Sequence, residues 1–443
     1  MLVTSSGMSV RQALLERISD ARRCSDDLFK VVRADSMYTR PIPERHRIIF
    51  YLGHLEAFDW NLLHESIFGI KSFHPEFDRL FAFGIDPVGG GLPSDQASDW
   101  PSASEVHDYV ARLRAALDEK LGSSLDQHSE TGDGYSLETL LNVAVEHRLM
   151  HVETLAYMLH QLPLTSKIPQ GPSTSFDLPP VIPQRIEIPR GTITLGLTRD
   201  GNAFGWDNEY EMHTAEVAAF EMDECMVTNG QFLTFMEAGG YEDRSLWSEQ
   251  DWEWKGGHAI SHPVFWKRSN DGWLYRTMFE EIPLPLDWPV YVSHAEASAY
   301  ASWVGQSLPT EEEWQRAAYG SLTRAERSYP WGSADPEFHL GNFDLHRWDP
   351  APVHAFPAGR SAFGVQGLMG NGWEWTSTIF SPYPGFERFP FYPGYSADFF
   401  DGKHFVMKGG SARTAACMLR STFRNWFQAH YQYVYAGFRC VSR

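Results

Sequence analysis

Apolar residues in the first third of the chain recur every three to four positions, the spacing of a helix with one buried face. Four stretches show it. In the first, 9–24, Leu14, Leu15 and Ile18 fall on one side. The second opens at Pro41-Ile42-Pro43-Glu44, where proline suits a helix start, and runs on through a strongly apolar segment. His54 lies in it with Tyr51 and Phe58 one turn away on either side, so it points toward packed surface. A loop rich in Gly, Pro and Asp at 84–101, including Gly89-Gly90-Gly91, leads to the third stretch, 103–121. The fourth covers 137–162, with Ser136 placed as its cap and Pro163 beyond its end. Together they predict a four-helix bundle, a fold whose core can host metals held by facing helices.

The fourth helix carries the chemistry. Leu140, Ala144, His147, His151 and Leu155 fall along one face, so two imidazoles interrupt an apolar stripe. At i, i+4 their rings can converge on one ion. The residues alone leave two readings: hydrogen-bonded packing, or two thirds of a metal site whose third ligand comes from elsewhere. Arg148 follows the first histidine where the HExxH zinc-protease motif needs its general-base Glu, so that motif is not met.

Beyond the bundle, Pro169, Pro172, Pro179, Pro180, Pro183 and Pro189 mark a semi-extended linker. The texture then changes to short β-like runs and Gly and Trp turns, with two helices expected at 228–239 and 295–320. The expected organisation is α+β in two domains: a helix bundle at 1–165, a linker at 166–189 and an α+β domain at 190–443. A chain of 443 residues exceeds what one core usually serves, which fits two domains.

Composition narrows the partners. The net charge of −20 and the lack of any Lys/Arg run argue against nucleic acid or an anionic membrane surface. No signal-like or membrane-length apolar run is present, and Cys24, Cys225, Cys417 and Cys440 show no CxxC spacing. A cytoplasmic protein with reduced thiols is expected.

The second half carries an ordered series of motifs: Phe204-Gly205-Trp206-Asp207-Asn208-Glu209, Val227-Thr228-Asn229, Leu308-Pro309-Thr310-Glu311-Glu312-Glu313-Trp314 and Tyr329-Pro330-Trp331-Gly332. Gly370-Asn371-Gly372-Trp373-Glu374-Trp375-Thr376, Lys408-Gly409-Gly410-Ser411 and Ala436-Gly437-Phe438-Arg439-Cys440 complete it. The series resembles the formylglycine-generating-enzyme fold, an irregular C-type-lectin-like α+β domain. The copper-binding Cys-x4-Cys pair of that enzyme is not matched, because Thr422 stands five residues after Cys417; Cys440 is expected to be a buried, inert thiol.

Joined to a DinB-like bundle with His54 and His147-x3-His151, the whole chain resembles the ergothioneine-pathway sulfoxide synthases and selenoneine synthase, the EgtB/SenA family. The resemblance implies mononuclear non-heme Fe(II) held by His54, His147 and His151, with O2 as co-substrate and hercynine, the trimethylammonium betaine of histidine, as acceptor. It assigns Tyr392 as proton and electron donor during oxidation and Tyr395 as a substrate contact. Asn425 and Trp426 would contact hercynine, the amide fixing its carboxylate or ring and the indole facing the cation.

Three departures bear on the donor. Phe427 and Tyr431 stand where synthases using γ-glutamylcysteine carry an Asp and an Arg. Met150 stands where they carry a Gln, and the segment from Phe77 to Gly90 lacks a tyrosine pair associated with cysteine users. An aromatic pair removes the ionic recognition such donors require. These departures favour C–Se bond formation with a neutral selenosugar. The alternatives are sulfoxide synthesis from cysteine or γ-glutamylcysteine, a zinc-dependent DinB-type thiol transferase, and a binding module on a structural bundle. His46, His64 and His160 are expected to be incidental, with His64 the substitute ligand. Glu153 is a candidate to steady a ligand imidazole or a solvated residue, and Asp207, Asn208 and Glu209 are a candidate calcium site.

Overall fold

The computed structural model describes residues 10–82, 92–123, 135–171, 176–200, 203–323 and 325–443. The Gly89–Gly91 turn, the end of the segment from Phe77 to Gly90 and part of the linker lie outside them. The chain forms two compact units, Met1–Gln170 and Gly171–Arg443.

The first unit is helical: α1 Val10–Phe29, α2 Ile48–Leu63, the short α3 Pro75–Leu80, α4 Ala103–Ser123 and α5 Leu137–His160. α5 packs against α1 and α2, and α2 also packs against α4. Ser136 caps α5, its hydroxyl accepting the Thr139 N–H at 3.1 Å. α5 is buried almost all round, which explains why its stripe is wider than one face. Pro41 and Pro43 do not start α2: the chain turns there, and the helix begins at Ile48 after an extended Arg47. No described helix is long and apolar enough to cross a membrane. The first residues expected as linker pack with this unit. Lys167 is buried, pairs with Val32 and donates to the His160 carbonyl at 3.2 Å.

Among the described residues, the second unit holds four small sheets. β1 Arg185–Ile188, β4 Phe220–Asp223 and β12 Val441–Ser442 form one, and β2 Gly191–Leu195 pairs with β3 His213–Val217. β5 Trp266–Ser269, β6 Gly272–Arg276 and β7 Glu281–Pro283 form a meander. The largest sheet runs β10 Asn425–Gln428, β9 His404–Gly410, β8 Gly372–Ile379, β11 Ala436–Gly437, with β10 at its edge. Helices α6 Asn229–Glu237, α7 Glu249–Gly257, α8 His294–Trp303 and α9 Glu311–Tyr319 complete the unit, with α9 packed against β2, β3, β8 and β9.

These helices depart from the expected pair in two ways. The 295–320 stretch is two helices, α8 and α9, broken at Gly305 (φ +69°) and Pro309 and restarted by a capping box between Thr310 and Glu313. α7, not expected at all, is capped by Ser248 through the Asp251 N–H. Its signal was a polar cap before a stretch with no buried residue to give it a period.

The motifs of this half are structural joints. Arg439 grips Glu374 with two bonds of 2.7 Å, and the Trp314 indole donates to the same carboxylate at 2.9 Å, all fully buried. Asn371 adopts φ +69° and its amide pairs with Ala351 and Asn342, while a Cβ on the preceding Gly370 (φ +83°) would lie 2.5 Å from the Asn342 carbonyl. Burial pushes the Cys440 thiol well above its ordinary range, so it stays protonated.

Candidate functional site

α2 supplies one imidazole to the centre of the first unit and α5 supplies two. The His54 and His151 Nε2 atoms lie 3.2 Å apart, and those of His151 and His147 3.1 Å apart. The three side chains are buried, with ligand atoms all within 4.8 Å of one another. Among the described residues no other three His, Cys, Asp or Glu side chains converge in this way.

The protonation of His54 follows from its neighbour. Its Nδ1 lies 2.7 Å from the Phe81 carbonyl, which can only accept, so Nδ1 carries the proton and Nε2 presents a lone pair. Gly53 makes room for this: a Cβ there would sit 2.5 Å from the Phe81 ring. Burial pushes the His54 imidazole down to about 4. Burial and the neighbouring histidines hold His147 and His151 well below their ordinary range. All three are neutral at neutral pH, as metal binding requires. Two nitrogens each about 2.1 Å from one ion and at right angles to it would be about 3.0 Å apart, close to the separations found. The residues therefore fit a divalent transition metal.

Other histidines lie outside the cluster. His64 is buried flat against Trp60, centroids 4.6 Å apart, with Nδ1 2.7 Å from the Ile70 carbonyl. His160 is buried and His46 is half-buried beside Phe50. His64 and His160 are buried rather than exposed, because α5 and α2 bury more than one face, and both lie outside the three-histidine cluster. Glu153 is likewise buried, not solvated, and Met150 is half-buried on α5 next to His151.

The tyrosines and Trp426 lie in the second unit, and there the structure brings several together. Trp206 is stacked on Tyr395 at 4.0 Å, and Tyr395 meets Tyr392 at 5.6 Å and the edge or face of Trp426 at 5.4 Å and 81°. Phe380 covers one face of the Trp426 indole at 4.2 Å and 6°. Ser396 donates to Asp207 at 2.6 Å, tying the tyrosine loop to the turn that holds Trp206. Arg424 fixes the start of β10: it binds both oxygens of Glu311 at 2.9 and 3.0 Å and lies over Phe380 and Tyr383.

Phe427 and Tyr431 are elsewhere. Side chains alternate along β10, so Trp426 faces one side and Asn425 and Phe427 the other. Phe427 stacks on Tyr431 at 4.9 Å and 18°, and Tyr433 joins them at 5.6 Å. The turn carrying Tyr431 is held by His430, which pairs with Asp251 at 2.7 Å and stacks on Trp254 at 4.6 Å. The Asn425 amide oxygen accepts the Trp426 N–H at 2.9 Å, leaving its NH2 to meet an acceptor.

The calcium expectation for Asp207, Asn208 and Glu209 meets a different chemistry. Glu209 is committed to Arg420 at 2.5 and 2.8 Å and to the Thr422 hydroxyl at 2.6 Å, and those cations and donors hold its buried carboxyl below the usual range against the effect of burial.

Sequence reasoning placed Phe58 beside His54 and Trp206 in a motif, but did not find that Phe58 stacks on His147, that Trp206 stacks on Tyr395, or which acids meet Arg148. Phe58 and His54 at i, i+4 was a readable signal; the partners of Trp206 and Arg148 are remote in sequence.

A family model of the sulfatase-modifying factor enzyme 1-like domain matches residues 175–443. The chain is 34% identical over 396 residues to a hercynine oxygenase of Mycobacterium tuberculosis, covering 86% of this chain and 89% of that one. It is 36% identical over 398 residues to a hercynine oxygenase of Mycolicibacterium thermoresistibile, covering 86% of each. It is also 28% identical to ergothioneine biosynthesis protein 1 of Neurospora crassa, covering 92% of this chain and 55% of that longer protein. With its helical first unit and its sulfatase-modifying-factor-like second unit, this chain belongs to the hercynine oxygenase family.

Proposed function

We propose that this protein is an Fe(II)- and O2-dependent enzyme that joins a sulfur donor, cysteine or γ-glutamylcysteine, to the carbon between the two ring nitrogens of hercynine. One observation carries the reading: His54, His147 and His151 turn three neutral ring nitrogens toward one point in a buried core. Bound iron would supply open positions for O2 and substrates and the redox chemistry of the coupling. The names of the relatives, hercynine oxygenase and ergothioneine biosynthesis protein 1, support sulfur ahead of the selenium donor expected from the sequence.

The chain's own residues take the remaining roles. The trimethylammonium of hercynine cannot hydrogen-bond, so it rests against the aromatic surface of Tyr395 and Trp426, while Asn425 lies on the other side of β10 with Phe427. Tyr392, beside Tyr395, donates its phenolic proton during oxidation. Phe380 and Arg424 hold the indole in place.

A second reading keeps the selenosugar donor. It is favoured by the Phe427–Tyr431 stack, which offers a neutral aromatic surface where an ionic donor needs charges, and by apolar Met150 beside His151. Mass spectrometry of aerobic reactions with Fe(II)-loaded protein, hercynine and each donor in parallel decides. A sulfoxide from either thiol supports the first reading, and a selenium isotope pattern from the selenosugar alone replaces it with the second. Product formed with zinc and no O2 uptake would overturn both in favour of thiol transfer.

A further inference from the structure

Arg148 sits between the two histidines of α5, yet it is 1% exposed. Its guanidinium reaches α2 at the residues that directly follow His54. Nη2 binds Asp59 at 2.6 Å and the Leu55 carbonyl at 3.0 Å, and Nη1 binds Glu56 at 2.9 Å and Ser25 of α1 at 3.2 Å. Glu56 also receives Arg114 of α4 at 2.7 Å and faces Arg22 of α1 at 3.7 Å. Burial would raise the Glu56 carboxyl, but the three arginines hold it below its usual range; burial and Glu56 raise that of Asp59.

Stability alone does not call for such a cluster. Taking these charges out of water costs several kcal/mol per ion, about what their attraction returns, and apolar side chains of equal volume often stabilise more. The Asp59 Oδ1 atom has no hydrogen-bond partner among the described residues, a further cost. What the cluster adds is direction. Apolar packing between two helices tolerates small slides and rotations, whereas a planar guanidinium held by two carboxylates and a carbonyl fixes both.

We infer that Arg148, with Glu56 and Asp59, is a positioning residue for the three-histidine site, setting the register of α2 against α5 and so the distance of His54 from His147 and His151. The inference rests on the reading of these histidines as metal ligands.

The test uses the full chain and Co(II), whose visible absorption reports ligand geometry, with affinity measured by chelator competition. Arg148→Lys keeps the charge but loses the planar fork. The triple variant Arg148→Met, Glu56→Leu, Asp59→Ala removes the charges and keeps the summed side-chain volume. Both are expected to fold, the triple variant with a thermal midpoint no lower than wild type. Both should bind Co(II) about 10- to 100-fold more weakly, with shifted absorption bands. Unchanged affinity and spectrum in either variant would overturn the inference, as would failure of the triple variant to fold, since the cluster would then serve stability. Absence of Co(II) binding by wild type would instead overturn the metal reading itself.

Discussion

Phe58 lies flat against His147, their ring centroids 3.4 Å apart and their planes 11° from parallel. Phe50 covers His54 in the same way at 4.8 Å and 21°. These faces limit how far each imidazole can turn about its last torsion, a control often exercised by a hydrogen bond to the distal nitrogen. Phe58→Ala should weaken metal binding about tenfold and cost about 1–3 kcal/mol, less than a fully buried Phe because Phe58 is half-buried. Chelator competition and urea unfolding measure the two effects, and an unchanged affinity would reduce the stack to packing.

Removing any one ligand leaves a two-nitrogen site. His54→Ala, His147→Ala and His151→Ala should each lose nearly all metal on purification, whereas His64→Ala, whose ring is turned to Trp60 and Ile70, should keep it. Elemental analysis of the four proteins is sufficient, and metal retained by His54→Ala would move the third ligand elsewhere.

On the second unit, Tyr392→Phe should retain iron while lowering kcat by about a hundredfold or more, the usual worth of a positioned acid. Trp426→Ala should act differently, raising KM for hercynine by about 2- to 30-fold through loss of the cation–π surface. Steady-state kinetics separate the two. Equal loss of kcat in both would show that Trp426 acts on chemistry, not on binding.

Glu311→Gln leaves the buried Arg424 without its countercharge. A loss of about 3–5 kcal/mol in unfolding free energy is expected, because a buried cation stripped of its partner is worse than none. Urea titration checks it, and a change under 1 kcal/mol, as for an exposed pair, would contradict the burial of this one.

His294 gives the second unit a pH dependence. It is stacked on Phe405 at 3.7 Å, and burial pushes its imidazole down to about 4. The folded state thus binds fewer protons than the unfolded one between pH 6.5 and 4, so stability is full above that window and falls as pH drops through it. Roughly 2 kcal/mol should be lost between pH 7 and pH 5 from this group. His294→Gln should flatten that part of the profile; an unaltered slope would assign it to other groups.

Much of this was written in local sequence. The Ser136 cap, the His147–His151 spacing and the apolar surroundings of His54 all depend on residues within a turn or two of each other, so periodicity reveals them. The joints between Arg439 and Glu374, or between Arg424 and Glu311, do not. Their partners are far apart along the chain, and of the four only Glu311, Glu374 and Arg439 stand in the ordered motifs that marked them as special. The split of α8 from α9 was legible in Gly305, Pro309 and the Thr310 capping box, but the apolar run across them obscured it. Alternation along β10 needed the strand's register, which four residues of an edge strand do not announce.

That alternation has a consequence for how this chain can change. Asn425, Trp426 and Phe427 are consecutive, yet Trp426 shares its side of the strand with Tyr395 and Phe380 while Phe427 shares the other with Tyr431. Residues without common partners vary almost independently in their energetic effects. One side of this short strand can therefore be substituted with little disturbance to the aromatic packing on the other, so the two faces of β10 are separable units within one element.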